Sequence, residues 1–201
     1  MDRTGLKNKV KIILDEYTPE GAGNPFDDYI GPLLDESARE ILLAGPLYLL
    51  APVAIPLTST VYADDRSYIP LPADYLRLYE MKYPLWKRPV REAVSGESQE
   101  YTIQENEYLR AGYGRPYVAL VNRTPAGGSP TKYLECGKVL ASAVPDTALY
   151  VQDTAAENLA EAFVDTLSWR CAGKVLLTMG MADKAKLALE QSMAHLALIT
   201  K

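Results

Sequence analysis

Residues 58–71, TSTVYADDRSYIPL, mark the point where the chain changes from helical to β-rich character. Two short runs rich in β-branched and aromatic residues, 58–63 and 67–71, flank the polar sequence Asp64-Asp65-Arg66. Acidic residues between two such runs are typical of a tight turn. The stretch therefore predicts a β-hairpin that opens a β-rich region.

Downstream of the hairpin, the pattern predicts further strands over 75–83, 117–122, 132–136 and 147–152. In the first of these, Leu76, Leu78, Glu80 and Lys82 alternate with Arg77, Tyr79 and Met81, so neither face is apolar. A Gly- and Pro-containing turn is predicted over 126–130, and a short helix over 98–109. Ten of the 14 tyrosines lie between Tyr62 and Tyr133, which suits half-buried pleated surfaces.

Upstream of the hairpin, the pattern is helical. Residues 3–16 place Leu6, Val10, Ile13 and Leu14 on one face of a helix. A second helix is predicted to start at Asn24-Pro25, to kink or restart at Gly31-Pro32 and to end at Gly45-Pro46.

The last zone of the chain is helical as well. Thr154 and Glu157 have the spacing of a capping box, which predicts the start of a helix that ends at Gly180. A final helix over 182–199 follows, with an apolar stripe formed by Leu189, Met193 and Leu196. The two helices form an antiparallel hairpin if the break between them is tight.

The order of these zones predicts the fold class. We expect an α+β protein in which N-terminal helices and a C-terminal helical hairpin form a helical frame. A central antiparallel β-rich insertion separates the two. The predicted parts are an N-terminal helical part over 1–57, the β-rich insertion over 58–153, and the C-terminal helices over 154–201.

Composition excludes several classes of chemistry. The chain has one histidine, His195, so a multi-histidine metal site is impossible, and no carboxylate at helical spacing orients His195 as a base. Cys136 and Cys171 are far apart and are expected to be buried small hydrophobic residues. Phosphate-binding and dinucleotide motifs are missing. The residues therefore offer no evident catalytic, cofactor-binding or metal-ligating set, although Tyr, Arg and Asp can do acid–base chemistry without histidine.

Charge and hydropathy limit the partners. The net charge of −5 is unlike that of a dedicated nucleic-acid binder, although a local basic patch is compatible with it. The most apolar run, residues 41–57, is short for a bilayer and holds three prolines, so we expect no membrane partner. The first 20 residues lack the apolar core of a signal peptide.

One segment concentrates positive charge around a tryptophan. Residues 82–91, KYPLWKRPVR, hold Trp86, Lys87, Arg88 and Arg91. Trp and Arg are favoured anchors of protein interfaces, and the same mixture could contact a nucleic acid. A third interpretation is a solvated strand end whose tryptophan packs into the core. We predict a protein interface that includes these four residues with Tyr101 and Arg115, and a second docking element in the 182–199 helix.

The central sequence resembles a known class of proteins. The matching segments are Tyr68-Ile-Pro-Leu-Pro-Ala-Asp-Tyr-Leu-Arg-Leu78, Trp86-Lys-Arg-Pro-Val-Arg-Glu92, Glu100-Tyr101, Gln104-x-Asn106 and Arg115-Pro-Tyr-Val-Ala-Leu-Val121. Their succession resembles head-to-tail connector proteins of tailed bacteriophages, especially the adaptor or ring proteins of short-tailed phages, including the crAss-like group. The likeness covers roughly residues 30–125.

The resemblance implies a structural role in the virion for a protein that is not an enzyme and has no cofactor. Such subunits form a homo-oligomeric ring, often a dodecamer, under the portal protein. The ring extends the DNA channel and seats the next tail or ring protein. The expected location is the virion neck, after assembly in the host cytoplasm. Two alternatives stay open: a small α+β enzyme or ligand-binding protein that uses Tyr, Arg and carboxylate groups, and a DNA-contacting module that uses the basic Trp segment.

Overall fold

A computed structural model describes residues 1–17, 27–106, 108–124 and 131–200. The chain divides into two compact units. The helical unit consists of Met1–Ala51 and Asp153–Lys201, and the β unit of Pro52–Gln152. The described residues form helices at both chain ends and strands in the middle, so the structure has the α+β fold class that the sequence predicts.

The helical unit packs around one central helix. The long helices are α1 (Arg3–Tyr17), α2 (Asp27–Ala44), α4 (Val164–Thr178) and α5 (Ala182–Ile199). α4 contacts each of the other three helices. The stripe Leu6, Val10, Ile13 and Leu14 on α1 is buried, which confirms the predicted face.

α2 differs from the prediction at one proline. The helix continues through Pro32, so it does not restart there, and the predicted kink stays a prediction. Pro32 is the sixth described residue of α2, so it removes one hydrogen bond within the helix, the one that an N–H at this position would donate to the Asp28 carbonyl. α2 ends at Ala44, immediately before Gly45-Pro46, as predicted. The predicted start at Asn24-Pro25 lies outside the described residues.

The predicted capping box at Thr154 and Glu157 is wrong. Two short 3₁₀ turns, Ala156–Asn158 and Glu161–Phe163, precede α4, which begins at Val164. The Glu157 carboxylate instead accepts a hydrogen bond from Arg3 Nη1 at 3.0 Å. Arg3 also binds Asp35, and these contacts fix the turn against α1 and α2.

α4 ends in a Schellman motif at Gly180, which has a φ of 76°. The Met181 N–H donates to the Leu176 carbonyl at 2.9 Å, and the Gly180 N–H donates to the Leu177 carbonyl at 3.0 Å. α5 then begins at Ala182. The break is therefore tight, and α4 and α5 form the predicted helical hairpin.

The β unit contains two sheets in the described residues. One has the order β1-β8-β4 and the other the order β2-β3-β7-β6-β5. All pairings are antiparallel except β5–β6, which is parallel. The strands are β1 (Pro52–Ala54), β2 (Val61–Ala63), β3 (Arg66–Pro70), β4 (Tyr75–Lys82), β5 (Val94–Ser95), β6 (Val118–Arg123), β7 (Thr131–Gly137) and β8 (Thr147–Gln152).

The predicted hairpin is confirmed and joins β2 to β3. Asp64 and Asp65 form its turn, with φ values of 51° and 62°. Positive φ at both central residues is the conformation of a type I′ turn, which matches the twist of antiparallel strands.

Two register shifts explain the unclear pattern of β4. They lie between Tyr75 and Arg77 and between Leu78 and Glu80. Each shift moves the following side chains to the other face. As a result, Leu78 and Met81 are both buried although they are three positions apart. A strict alternation could not predict this face.

The predicted helix over 98–109 is shorter than expected. α3 (Gln99–Thr102) is followed by a 3₁₀ turn, Ile103–Glu105. Ser98 caps α3 by accepting a hydrogen bond from the Tyr101 N–H at 3.2 Å. The predicted turn over 126–130 lies outside the described residues.

Candidate functional site

Trp86 is a core residue of the β unit and not an exposed anchor. Its side chain is 2 % exposed, and its ring centroid lies 5.2 Å from that of Tyr83. The indole Nε1 donates to the Lys138 carbonyl at 3.0 Å, which satisfies its only donor. The chain turns after β4, where the Trp86 N–H donates to the Tyr83 carbonyl, and this turn directs the indole inward. The prediction of Trp86 as an exposed contact residue is therefore wrong.

The cations around Trp86 behave differently from one another. Arg91 donates two hydrogen bonds of 3.1 Å to Glu80 Oε2, so its charge is paired within the β unit. Lys87 and Arg88 are exposed, and neither has a carboxylate partner among the described residues. Their role in an interface stays a prediction.

Tyr101 belongs to a cluster around a buried carboxylate, Glu135. The Tyr101 hydroxyl donates to Glu135 Oε2 at 2.8 Å, and the Tyr117 hydroxyl donates to Oε1 at 2.5 Å. Arg66 Nη1 donates to the same Oε1 at 2.7 Å. Glu135 is only 2 % exposed, yet it has three donors and one opposite charge. Burial of a carboxylate is costly unless hydrogen bonds and an opposite charge compensate it, as they do here.

The electrostatics of the cluster keep both phenols protonated. Burial and the hydrogen bond to Glu135 raise the pKa of Tyr101 to about 12. The same two causes raise the pKa of Tyr117 still further. Burial lowers the pKa of Arg66, but the nearby Tyr117 and Glu135 outweigh it, so the net shift is upward. The guanidinium is therefore fixed as a cation and the phenols as donors.

The Glu135 cluster holds the segment 96–117 against the large sheet. Glu135 stands on the face of β7 opposite to Leu134 and Cys136, which point into the core. Tyr101 and Tyr117 cover that second face. This cluster was not among the predicted sites. The sequence holds one signal for the cluster, a glutamate between Leu134 and Cys136 in a predicted strand. Because a charged side chain is rarely buried without partners, this position indicates a partnered carboxylate.

A polar pocket of about 260 Å³ lies beside this cluster. Its lining includes the cations Arg66, Arg110 and Lys138 together with Asp64 and Asp65. The Lys138 ammonium donates to Asp65 Oδ2 at 2.8 Å, and this bond lowers the pKa of Asp65. Arg66 is held by Glu135, as described above. Most charged groups of the pocket are thus already partnered.

One edge of the pocket continues into an exposed basic surface. Residues 110–115 form a turn in which the Arg115 N–H donates to the Gly112 carbonyl at 3.0 Å. The Lys87 N–H donates to the Tyr113 carbonyl at 2.9 Å, and the Lys138 ammonium lies 5.8 Å above the Tyr113 ring. We call Lys87, Arg110, Arg115 and Lys138 the basic turn. It includes the predicted residues Lys87 and Arg115.

α5 exposes its large apolar side chains. Its fully buried residues are small: Ala185, Ala188 and Ser192 are buried, and Ser192 Oγ donates to the Thr166 carbonyl at 2.9 Å. Leu189 packs against Gly173 of α4, where an added Cβ would lie 2.8 Å from Leu189 Cγ. Of the predicted stripe, Leu189 and Leu196 are half-buried, but the prediction is wrong for Met193, which is 55 % exposed.

The exposed side of α5 has a regular apolar spacing. Leu187 and Leu198 are 53 % and 66 % exposed, and Ala194 lies between them on the same face. The positions 187, 191, 194 and 198 follow the alternating spacing of four and three residues found in helix-to-helix contacts. Gln191 is the polar member of the series. We call Leu187, Gln191, Ala194 and Leu198 the outer face of α5.

Both cysteines are buried, as expected. Burial raises the pKa of Cys136 and of Cys171 to about 12. Among the described residues, no group of three or more His, Cys, Asp or Glu side chains could hold a metal ion. No described helix combines the length and the apolar character needed to cross a bilayer.

Comparisons with known proteins do not assign a family. No protein-family model matches the chain, and no curated protein matches it.

Proposed function

We propose that this chain is a virion structural protein, a head-to-tail connector ring subunit that joins the portal protein to the tail and extends the DNA channel. The resemblance of residues 30–125 to phage connectors motivates the proposal, and the α+β architecture is compatible with it. The supporting observation is the exposure of large apolar side chains on α5. Leu187, Met193 and Leu198 are exposed, while the fully buried residues of this helix are alanine and serine.

The exposed leucines favour a contact role over a solvated helix. Leu187 and Leu198 stand on one side of the helix, and exposed apolar surface that is rimmed by polar residues is a feature of protein–protein contacts. The helical part of the subunit is the part that would meet the portal, so the outer face of α5 is our candidate for that contact. The buried side of α5 packs against α4, so the outer face of α5 is the side that is free to contact another protein.

The pocket beside Tyr117 favours a second candidate, a small ligand-binding protein. It brings together Tyr117, Arg66 and Asp65, whose pKa is lowered by its hydrogen bond with Lys138. However, Tyr117 and Arg66 are bound to Glu135, and a lowered pKa makes Asp65 a weaker base. A thermal shift with small charged ligands that is lost in Arg110→Ala would favour this candidate over the connector.

The connector proposal predicts the effect of charges on the outer face of α5. The double variant Leu187→Glu/Leu198→Glu should keep its melting temperature, because both side chains are exposed and surface substitutions usually change stability by less than about 0.5 kcal/mol. Its affinity for the portal protein should fall at least about tenfold, because the charges would have to be buried on docking. Native mass spectrometry of the mixture measures both the complex and the free chain.

Ile12→Glu serves as the matched control for this experiment. Ile12 is an exposed apolar residue of the same unit, on α1, and is 63 % exposed. This variant should bind the portal protein as the unmodified chain does. Equal binding by the α5 double variant would count against a docking role for α5.

A further inference from the structure

The net charge of the chain lies in one of its two units. The sequence of the helical unit contains ten basic and fifteen acidic residues, whereas that of the β unit contains eleven of each. The helical unit therefore carries the whole net charge of −5, and the β unit is neutral. When two copies of the chain meet, the negative helical unit of one can therefore face the neutral β unit of the other.

Within the neutral β unit, positive charge gathers at the basic turn. Its four cations border two acids, Asp64 and Asp65, which leaves an excess of two positive charges. Arg110 and Arg115 are exposed and have no salt-bridge partner in the part of the chain that the structure describes. Lys138 is paired with Asp65 at 2.8 Å.

Exposed apolar residues adjoin this charge. Tyr108 is 93 % exposed and Leu109 is 64 % exposed, and both immediately precede Arg110. Tyr and Arg are the residue types that most often anchor protein interfaces. This mixture of apolar and charged groups favours a protein partner over a nucleic acid, as does the presence of two acids at the rim.

The helical unit has a matching acidic end. The Lys11 ammonium binds Asp27 Oδ2 at 2.7 Å, which brings the start of α2 against the last turns of α1. Asp15, Glu16 and Asp28 are exposed near this point, and none has a cationic partner among the described residues. Lys184 also reaches this end, where it donates to the Tyr17 carbonyl. We call Asp15, Glu16 and Asp28 the acidic end.

We propose that the basic turn of one copy docks on the acidic end of the next copy. This inference rests on the proposed connector function and names the contact between neighbouring subunits. Two different patches that meet head to tail form a heterologous interface, which closes into a ring when the rotation allows it. The charges would set the register and speed assembly, while Tyr108 and Leu109 would supply buried area.

The test is charge reversal on each side of the contact. Native mass spectrometry of the full chain, with and without the portal protein, follows assembly at low ionic strength, where exposed charges are least screened. Arg110→Glu/Arg115→Glu and Asp15→Lys/Glu16→Lys should each reduce the amount of oligomer at least about tenfold. A mixture of the two variants should restore it, because each reversed surface meets its complement.

Lys132→Glu is the matched control. Lys132 is an exposed cation of the same unit, six residues from Lys138 along β7 and thus about 20 Å away. The Lys132→Glu variant should assemble as the unmodified chain does. Circular dichroism verifies that each variant is folded.

Four results would overturn the inference. Rings that survive both reversals, or a mixture that does not regain assembly, would overturn it while leaving the connector function in place. The inference would also be overturned, and the connector function kept, if the variant Arg110→Glu/Arg115→Glu forms rings but loses binding to a tail protein or to DNA. An unmodified chain that stays monomeric with the portal protein would overturn both proposals.

Discussion

Replacing Glu135 by alanine is expected to lower the free energy of unfolding by about 3 kcal/mol. The substitution removes the one acceptor that Arg66, Tyr101 and Tyr117 share. It leaves a half-buried guanidinium without its carboxylate and two phenols without a partner, and each unmet donor adds its own desolvation cost. Urea unfolding followed by circular dichroism measures this loss.

Tyr101→Phe provides the graded comparison. It removes one of the three donors and keeps the ring that covers the sheet, so a loss of about 1–2 kcal/mol is expected. If Glu135→Ala were no more damaging than Tyr101→Phe, the carboxylate would not be the centre of the cluster. Glu135→Gln keeps the shape but loses the charge, and it should fall between the two.

Gly137→Ala is expected to destabilise the β unit by about 2 kcal/mol or more through overpacking. The added Cβ would overlap the ring of Tyr117, which lies directly against Gly137. Tyr117 cannot move away freely, because its hydroxyl is bound to Glu135 at 2.5 Å. The free energy of unfolding in urea is again the quantity to measure.

Gly114→Ala is the matched control for this effect. A Cβ at Gly114 would meet only Lys87 Cδ, at 3.9 Å, so its cost should stay within about 0.5 kcal/mol. Equal costs at the two glycines would show that the Tyr117 ring does not restrict position 137. Because Gly137 and Glu135 act on the same ring, the effects of Gly137→Ala and Glu135→Ala should not add.

The elements with regular periodicity could be predicted from the sequence. The face of α1 and the β2–β3 hairpin follow from local patterns and turn chemistry, and so does the end of α4 at Gly180. The face of α5 could not be predicted in this way. Leu189 of the predicted stripe does pack against α4 at Gly173, whereas Met193 is exposed. The most buried positions of α5 are the small residues Ala185, Ala188 and Ser192, which a hydrophobic pattern does not single out.

The candidate surfaces depended on contacts that are distant in sequence. Trp86 looked exposed among cations, whereas its indole bonds to the carbonyl of Lys138, 52 residues later. Glu135 binds Arg66, which lies 69 residues earlier in the chain. Neither partner can be inferred from local spacing. Lys87 and Arg115 do lie in the same region of the β unit, because the Lys87 N–H bonds to the carbonyl of Tyr113, two residues before Arg115.

The Glu135 cluster and part of the basic turn are linked through one segment of the β unit. Tyr101 and Tyr117 hold the segment 96–117 on the sheet, and Arg110 and Arg115 of the basic turn lie within that segment. A loss of the cluster should therefore disturb the proposed subunit contact as well as stability. The exposed charges would then be presented by a less ordered backbone.

The most direct test of the connector function is imaging of the purified chain with its portal protein. Negative-stain electron microscopy of the mixture, with native mass spectrometry to count the subunits, should show a closed ring of this chain seated on the portal. A chain that remains a monomer with the portal protein and with every other virion protein would contradict the account.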